Sequence, residues 1–217
     1  MDRLEENIER IRDDFDVKNE MRDLTLRRSR ELIRHCANTI RAIHRGEFNQ
    51  ATELLVEARQ AVAEMVEAVQ DHPDLYYTGY TQDALKEFVE ASATLALITD
   101  VPLPSPEELN VEHAAYLKGL AEAASELRRH ILDIIRHGHS DRAEQLLSYM
   151  EDIYGYLVTI DFPDAITGGL RRTTDILRAV LERTRGDLTT SLRQAQLQAA
   201  LQSLEQKIQS DGNTNGP

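Results

Sequence analysis

Two pairs of glutamates stand at helical spacing inside apolar, alanine-rich stretches of the chain. Glu87 and Glu90 are three residues apart in L-K-E-F-V-E-A, and Glu122 and Glu126 are four apart in Y-L-K-G-L-A-E-A-A-S-E-L-R-R. Side chains at these spacings lie next to each other on one helical face. Because an unneutralised carboxylate is costly in a packed segment, a buried cluster of them is usually paired with cations or holds a metal. If the two helices lie side by side, four carboxylates converge on one pocket.

Such a pocket predicts a site for a hard divalent cation. Carboxylate oxygens favour magnesium, or manganese in its place. An ion of this kind supports hydrolysis of phosphodiesters by polarising a phosphoryl oxygen and activating a water. A di-iron bundle would need Glu-x-x-His pairs, and the chain has none. The alternative is that both pairs are solvated helix faces, since the chain holds 38 acidic residues.

The elements that would position these pairs are all helical. Among 217 residues there are only 10 glycines and 6 prolines, 41% of the residues are hydrophobic, and no strand-like alternation occurs. We predict an all-α bundle of seven helices, forming one domain over residues 1–209 with a disordered tail at 210–217. Apolar spacing and breakers place the helices at residues 1–45, 49–69, 81–99, 106–137, 141–160, 164–186 and 187–209.

The composition also indicates in which cellular compartment the protein acts and which classes of partner it binds. The net charge of −13 argues against a generally basic nucleic-acid binder, although a local basic patch would still attract one. The single cysteine, Cys36, stands among apolar residues and is interpreted as core packing in a reducing compartment. No apolar run approaches the ~20 residues of a membrane span. The sequence therefore predicts a cytoplasmic protein without a membrane partner.

Basic residues close to the carboxylates are candidates for contacts with a phosphate backbone. Arg128 and Arg129 follow Glu122 and Glu126 by about one helical turn. Arginine suits this role because its planar fork binds phosphate oxygens in a bidentate manner.

On these motifs the sequence resembles the translin superfamily, which comprises translin and translin-associated factor X. The resemblance spans roughly residues 10–195. It implies the family's hollow octameric shell, which binds RNA and single-stranded DNA. In the translin-associated factor X branch, two acidic pairs form a magnesium-dependent ribonuclease site. Glu87 and Glu90 match the first pair, and Glu122 and Glu126 match the second, with Glu122 at a position where the pattern more often has aspartate.

The resemblance therefore implies a compact version, of prokaryotic or archaeal type, of the nuclease branch. The basic stretch that follows translin's tyrosine pair is replaced here by T-G-Y-T-Q, whereas Lys18 and Arg22 fall where the family's first helix carries basic residues. We expect a homo-oligomeric, magnesium-dependent endoribonuclease. Two alternatives remain open: a non-catalytic shell that binds RNA or single-stranded DNA, and a helical scaffold or adaptor.

Overall fold

The computed structural model describes residues 2–138 and 140–214, and within these ranges it contains nine helices and no strand. Six of the helices are long and three have a single turn. In chain order they are α1 (Asp2–His44), α2 (Phe48–Ala68), α3 (Pro73–Tyr76), α4 (Gly79–Thr99), α5 (Pro106–Leu109), α6 (His113–Ile135), α7 (Ser140–Leu157), α8 (Asp164–Thr167) and α9 (Leu170–Thr214). The predicted all-α class is confirmed.

Two predicted helix boundaries are wrong. The break expected at Gly186 does not occur, because α9 runs through this glycine without interruption. A glycine inside a helix costs about 1 kcal/mol relative to alanine. Packing outweighs that cost, since buried residues continue as one stripe on both sides of it, at Leu177, Leu181, Thr184 and Leu188.

The helix predicted from residue 106 is divided into α5 and α6. The capping box at its start is confirmed, because the Ser105 hydroxyl accepts the Glu108 N–H and the Glu108 carboxylate accepts the Ser105 N–H. The turn ends at Asn110, which takes a left-handed conformation at φ +54°. Of the predicted tail at 210–217, residues 210–214 continue α9, and 215–217 lie outside the described residues.

Helix α4 is the central element because it is buried on nearly every face. It packs against α1, α2 and α6, while α6 packs in turn against α7 and α9. One part of the core lies between α1, α2 and α4 around Leu32, Cys36 and Phe88, and another between α6, α7 and α9 around Leu127 and Met150. Cys36 is a buried free thiol, as its interpretation as a packing residue requires.

The approach of α6 to α4 depends on one glycine. A Cβ atom on Gly119 would lie 2.6 Å from both the Lys86 carbonyl oxygen and the Val89 Cβ. Real Cβ atoms do not come this close to a backbone atom, so only glycine allows the two helices to pack at this separation. The contact places Glu122, three residues further along α6, opposite the segment of α4 that holds Glu87.

Two exposed apolar stripes extend from the body of the bundle, one on each of the longest helices. Both repeat at steps of four, three and four residues, which is the spacing of a coiled-coil seam. The α1 stripe consists of Leu4, Ile8, Ile11 and Phe15, and the α9 stripe of Leu197, Leu201, Leu204 and Ile208. None of the helices in the described ranges is long and apolar enough to cross a membrane.

Candidate metal centre

Three of the four predicted carboxylates meet at the interface of α4 and α6. Glu87 and Glu90 project from α4 and Glu122 from α6, and each offers an oxygen within 4.8 Å of the other two. The spacing of three on α4 brings the first two together, and the close approach at Gly119 adds the third. Three such oxygens form a donor set that fits a divalent cation with oxygen ligands.

Glu126 lies at the edge of this cluster and is held by a residue from another helix. Its Oε2 atom accepts a hydrogen bond of 2.7 Å from Nε2 of His44, at the end of α1. The His44 side chain is only 3% exposed, and its Nδ1 atom is buried without a hydrogen-bond partner in the described part of the chain. His44 therefore fixes one oxygen of Glu126 and leaves the other oxygen unconstrained.

The cluster contains a cation that belongs to the chain. Lys86 Nζ lies 2.9 Å from Glu87 Oε1 and also contacts Glu122 Oε2, so it joins α4 to α6. The Lys86 side chain is 14% exposed. Burial opposes its charge, but hydrogen bonds to Glu122 and Glu87 outweigh burial and raise the pKa of Lys86 above its ordinary value. Lys86 is thus a charged ammonium that neutralises part of the acidic cluster.

Glu90 is the most buried member of the cluster, with 9% of the residue exposed. Burial raises the pKa of Glu90 to about 8, and the negative charges of Glu87, Glu122 and Glu126 add to the effect, which Lys86 partly offsets. In the metal-free protein Glu90 therefore carries a proton at neutral pH. A divalent cation would remove the cause of this protonation by supplying positive charge at the same place.

Cys36 lies near the cluster on the side of α1 but is poorly suited to be a ligand. Burial raises the pKa of the Cys36 thiol, and the charges of Glu87 and Glu90 raise it further. Because a thiol binds metals as the thiolate, Cys36 stays a neutral packing residue. The centre is therefore a site of oxygen donors alone.

The carboxylates open onto a cavity of about 520 Å³ between α4, α6 and the start of α9. Glu90, Glu122 and Glu126 line it on one side. Lys118 of α6 and Arg172 of α9 also line it, and neither forms an ion pair with any described residue. Acidic and basic walls therefore face one space, which is the arrangement needed to hold a cation and a phosphate together.

The two predicted arginines on α6 have different environments. Successive residues on a helix point about 100° apart, so Arg129 lies on the face of Glu122 and Glu126, whereas Arg128 does not. Arg128 donates hydrogen bonds to the Thr184 hydroxyl at 3.2 Å and to the Asp187 carboxylate at 2.7 Å, and so attaches α6 to α9. Arg129 is exposed and forms no ion pair in the described ranges.

The two predicted basic residues on α1 lie outside the cavity. Lys18 pairs with Asp74 at 2.6 Å, and Arg22 with its neighbour Asp23 at 3.0 Å. All four side chains are exposed, so these pairs are weak and leave the cations accessible.

Three residues of this region were not predicted from the sequence. Lys86 and Lys118 carry a recoverable signal, since Lys86 precedes Glu87 and Lys118 lies one turn before Glu122 on the same face of α6. His44 carries none, because it reaches Glu126 only through the way in which α1 and α6 both pack against α4.

Comparisons with known proteins were made on sequence and on structure, and no family model matches the chain. An uncharacterized protein of Methanocaldococcus jannaschii is 30% identical over 190 residues, which cover 87% of this chain and 84% of that protein.

Solved structures also match. The chain is 33% identical to AfC3PO, the C3PO of Archaeoglobus, in a complex with duplex RNA, with a TM-score of 0.80 and coverage of 88% of this chain and 98% of that one. A crystal structure of AfC3PO matches at 33% identity and a TM-score of 0.81, over 88% and 99% of the two chains. The apo C3PO of Neurospora, at 22% identity and a TM-score of 0.77 over 85% and 97%, shares the fold.

Proposed function

The chain belongs to the translin superfamily, and from this premise we propose that it is a magnesium-dependent endoribonuclease acting within an oligomeric shell. One observation carries the proposal: oxygens of Glu87, Glu90 and Glu122 lie within 4.8 Å of one another, and Glu90 and Glu122 line an open cavity. The structure of AfC3PO with duplex RNA supports RNA as the substrate.

In this proposal Glu87, Glu90 and Glu122 hold magnesium, or manganese in its place. The bound ion supplies positive charge that polarises a phosphoryl oxygen and makes water a stronger nucleophile. Glu90 would release its proton to solvent on binding a cation, because the added positive charge would offset the burial and the negative charges that raise its pKa. Lys86 keeps the carboxylates of α4 and α6 together before the cation arrives.

Glu126 is the proposed general base. It lies outside the three-oxygen cluster but lines the same cavity, and His44 orients its carboxylate through a bond to one oxygen. The second oxygen accepts a proton from the attacking water, which a positioned carboxylate does well. Glu126 thus complements the cluster instead of acting as a fourth equivalent ligand, although the sequence did not separate these roles.

Arg129 is the predicted arginine best placed to hold the RNA backbone beside the site, because it is exposed on the face of Glu122 and Glu126. Lys18 and Arg22 remain candidates for an inner surface of the assembly. We propose a homo-oligomer, an octamer as the resemblance implies. The apolar stripes on α1 and α9 support assembly, since both are solvent-exposed in the single chain and have coiled-coil spacing.

The second candidate function is a non-catalytic shell that binds RNA or single-stranded DNA. Lys86 favours it, because an ammonium already bridges Glu87 and Glu122 where the cation would bind. In that case the carboxylates are structural, and binding of nucleic acid is indifferent to their loss.

The test uses purified protein with labelled single-stranded and double-stranded RNA, in magnesium or in EDTA. The variant is Glu122→Gln, and the matched control is Glu53→Gln, which removes a charge from an exposed position on α2. We expect cleavage that needs magnesium, is lost in the first variant and is kept in the control. Equal metal-dependent cleavage in both variants would refute the proposal. Binding without cleavage would favour the shell, and no binding would favour a scaffold.

A further inference from the structure

Two basic residues that line the cavity have no ion-pair partner among the described residues. Two other arginines on the same two helices are paired: Arg171 of α9 lies 3.1 Å from Asp161, and Arg128 of α6 lies 2.7 Å from Asp187. Lys118 and Arg172 form no ion pair among the described residues, although both line a cavity that contains carboxylates. Their charges are therefore free to meet an anion from outside the chain.

The Lys118 side chain reaches the turn that precedes α9 without forming a salt bridge among the described residues. Its Nζ and Cε atoms lie 3.4 and 3.7 Å from the position that a Cβ would occupy on Gly168. Gly168 takes a left-handed conformation at φ +59° and ends α8. The end of the lysine side chain therefore lies next to the turn before α9, in ordinary van der Waals range of the space above Gly168. This position brings an ammonium group to the border between α6 and α9.

Glu122, a candidate partner of Lys118 on the same helix, already contacts another lysine. Glu122 follows Lys118 by four residues, about 6 Å along the helix axis, but its Oε2 atom contacts Lys86. Arg172 lies in the first turn of α9 with the Thr173 hydroxyl beside it, and both line the cavity. An ammonium, a guanidinium and a hydroxyl facing one space are the donors that bind phosphate oxygens.

We infer that Lys118 and Arg172 form a phosphate subsite, which binds the RNA backbone phosphate next to the one that is cleaved. The inference rests on the proposed function, which identifies the bound nucleic-acid strand as RNA. Lys118 lies one turn before Glu122 on the same face of α6, and Arg172 lines the same cavity from α9, so a strand whose scissile phosphate lies at Glu90 and Glu122 can bring a neighbouring phosphate to both. The subsite sets the register of the strand against the carboxylates, and Lys118 and Arg172 are positioning residues for the reaction.

The first test measures RNA binding by fluorescence anisotropy with Ca²⁺ in place of Mg²⁺, with the integrity of the RNA checked on a gel. The variants are Lys118→Gln and Arg172→Gln. The matched control is Arg171→Gln, which removes the same charge one residue away, from an arginine that pairs with Asp161. We expect each variant to weaken binding about tenfold, the loss of one charge-assisted hydrogen bond. The slope of log Kd against log salt should fall by about one, and the control should change neither.

A second measurement identifies the phosphate. Single neutral methylphosphonate linkages are placed at successive positions of the oligonucleotide, and each is measured with the wild type and with Arg172→Gln. We expect one position at which the neutral linkage weakens wild-type binding but has no further effect in the variant, because the contact is already lost. Effects that simply add at every position would overturn the inference.

Two different results distinguish an error in the proposed subsite from an error in the proposed function. If wild-type protein neither binds nor cleaves RNA, the proposed function itself is wrong. If it binds and cleaves RNA while Arg172→Gln behaves like Arg171→Gln, only the subsite is wrong. Melting temperatures of all the variants should agree, since neither Lys118 nor Arg172 forms an ion pair in the described chain; a large drop would mean that the residue is structural and would also overturn the inference.

Discussion

Replacing Glu90 with glutamine should stabilise the metal-free protein at alkaline pH while abolishing its response to metal. In the folded protein the pKa of Glu90 is raised from 4.5 to about 8, by burial first and then by three neighbouring glutamates. Below pH 4.5 the carboxyl is neutral in the folded and unfolded states and costs nothing. Between pH 4.5 and 8 only the unfolded chain ionises, so the folded state loses stability progressively. Above pH 8 the loss is complete.

The size of the loss follows from the two pKa values. At roughly 1.4 kcal/mol per pH unit, the difference between 4.5 and about 8 corresponds to roughly 5 kcal/mol at pH 9. Glutamine has nearly the same shape and cannot ionise, so Glu90→Gln should recover most of this amount. For a chain of this size that is a rise in Tm of roughly 10–20 °C. At pH 4 the two proteins should melt within a few degrees of each other.

The assay is thermal and urea unfolding in EDTA from pH 4 to 9, at one fixed protein concentration because the protein is expected to be oligomeric. Glu53→Gln is the control for the loss of an exposed negative charge. Adding magnesium should raise the Tm of the wild type and of the control but not that of Glu90→Gln. Magnesium affinity of the wild type should also rise about tenfold per pH unit up to pH 8, since binding displaces one proton.

One result would refute this reasoning. If Glu90→Gln is less stable than the wild type at pH 9 without metal, then Glu90 is ionised and satisfied inside the fold, with Lys86 as its compensating charge. The cluster would then be a structural ion-pair network, and the case for a metal centre would lose its main electrostatic support.

Three further substitutions test the parts that build and assemble the site. Lys86→Met removes the internal cation, so it should destabilise the metal-free protein by roughly 1–3 kcal/mol and tighten magnesium binding about tenfold in calorimetry; weaker binding would contradict this. Gly119→Ala should cost roughly 1–3 kcal/mol in urea unfolding and weaken magnesium binding, because its Cβ would force α6 away from α4. The control Gly155→Ala, where nothing lies within 4 Å of an added Cβ, should stabilise α7 by roughly 0.5–1 kcal/mol. Leu201→Glu should reduce the particle mass in light scattering while Gln202→Glu leaves it unchanged; an unchanged mass in both would exclude the α9 stripe from the assembly interface.

The helices were predictable wherever local sequence decides the outcome. The first helix ends one residue before its predicted end, and the capping box at Ser105 is present as its spacing indicates. The break at Gly186 failed for a physical reason: the weak helix propensity of one glycine is overridden by buried leucines that continue on both sides. The sequence shows the low helix propensity of Gly186, but it does not show the packing of α9 against the core that outweighs it.

The site was predictable in its carboxylates and not in their partners. The spacing of three residues alone placed Glu87 beside Glu90. Gly119, three residues before Glu122, lets α6 approach α4. The contact of His44 with Glu126 depends instead on how α1 and α6 both pack against α4, which no local pattern encodes. Arg128 shows the same limit. It is close to Glu122 and Glu126 in sequence, but its side chain points towards α9 and binds Asp187 there.

The electrostatics of the cluster argue for a ligand and against a purely structural role. Glu90 is buried in the helix that is itself buried on nearly every face, and both burial and three neighbouring glutamates raise its pKa. A scaffold would gain stability from almost any neutral residue at this position, since burial of a carboxyl among like charges only costs free energy. Lys86 reduces that cost without removing it, because the pKa of Glu90 stays near 8 with the ammonium present. A second, divalent positive charge would satisfy all three carboxylates at once, and the cavity beside them gives it and a phosphate a common entrance.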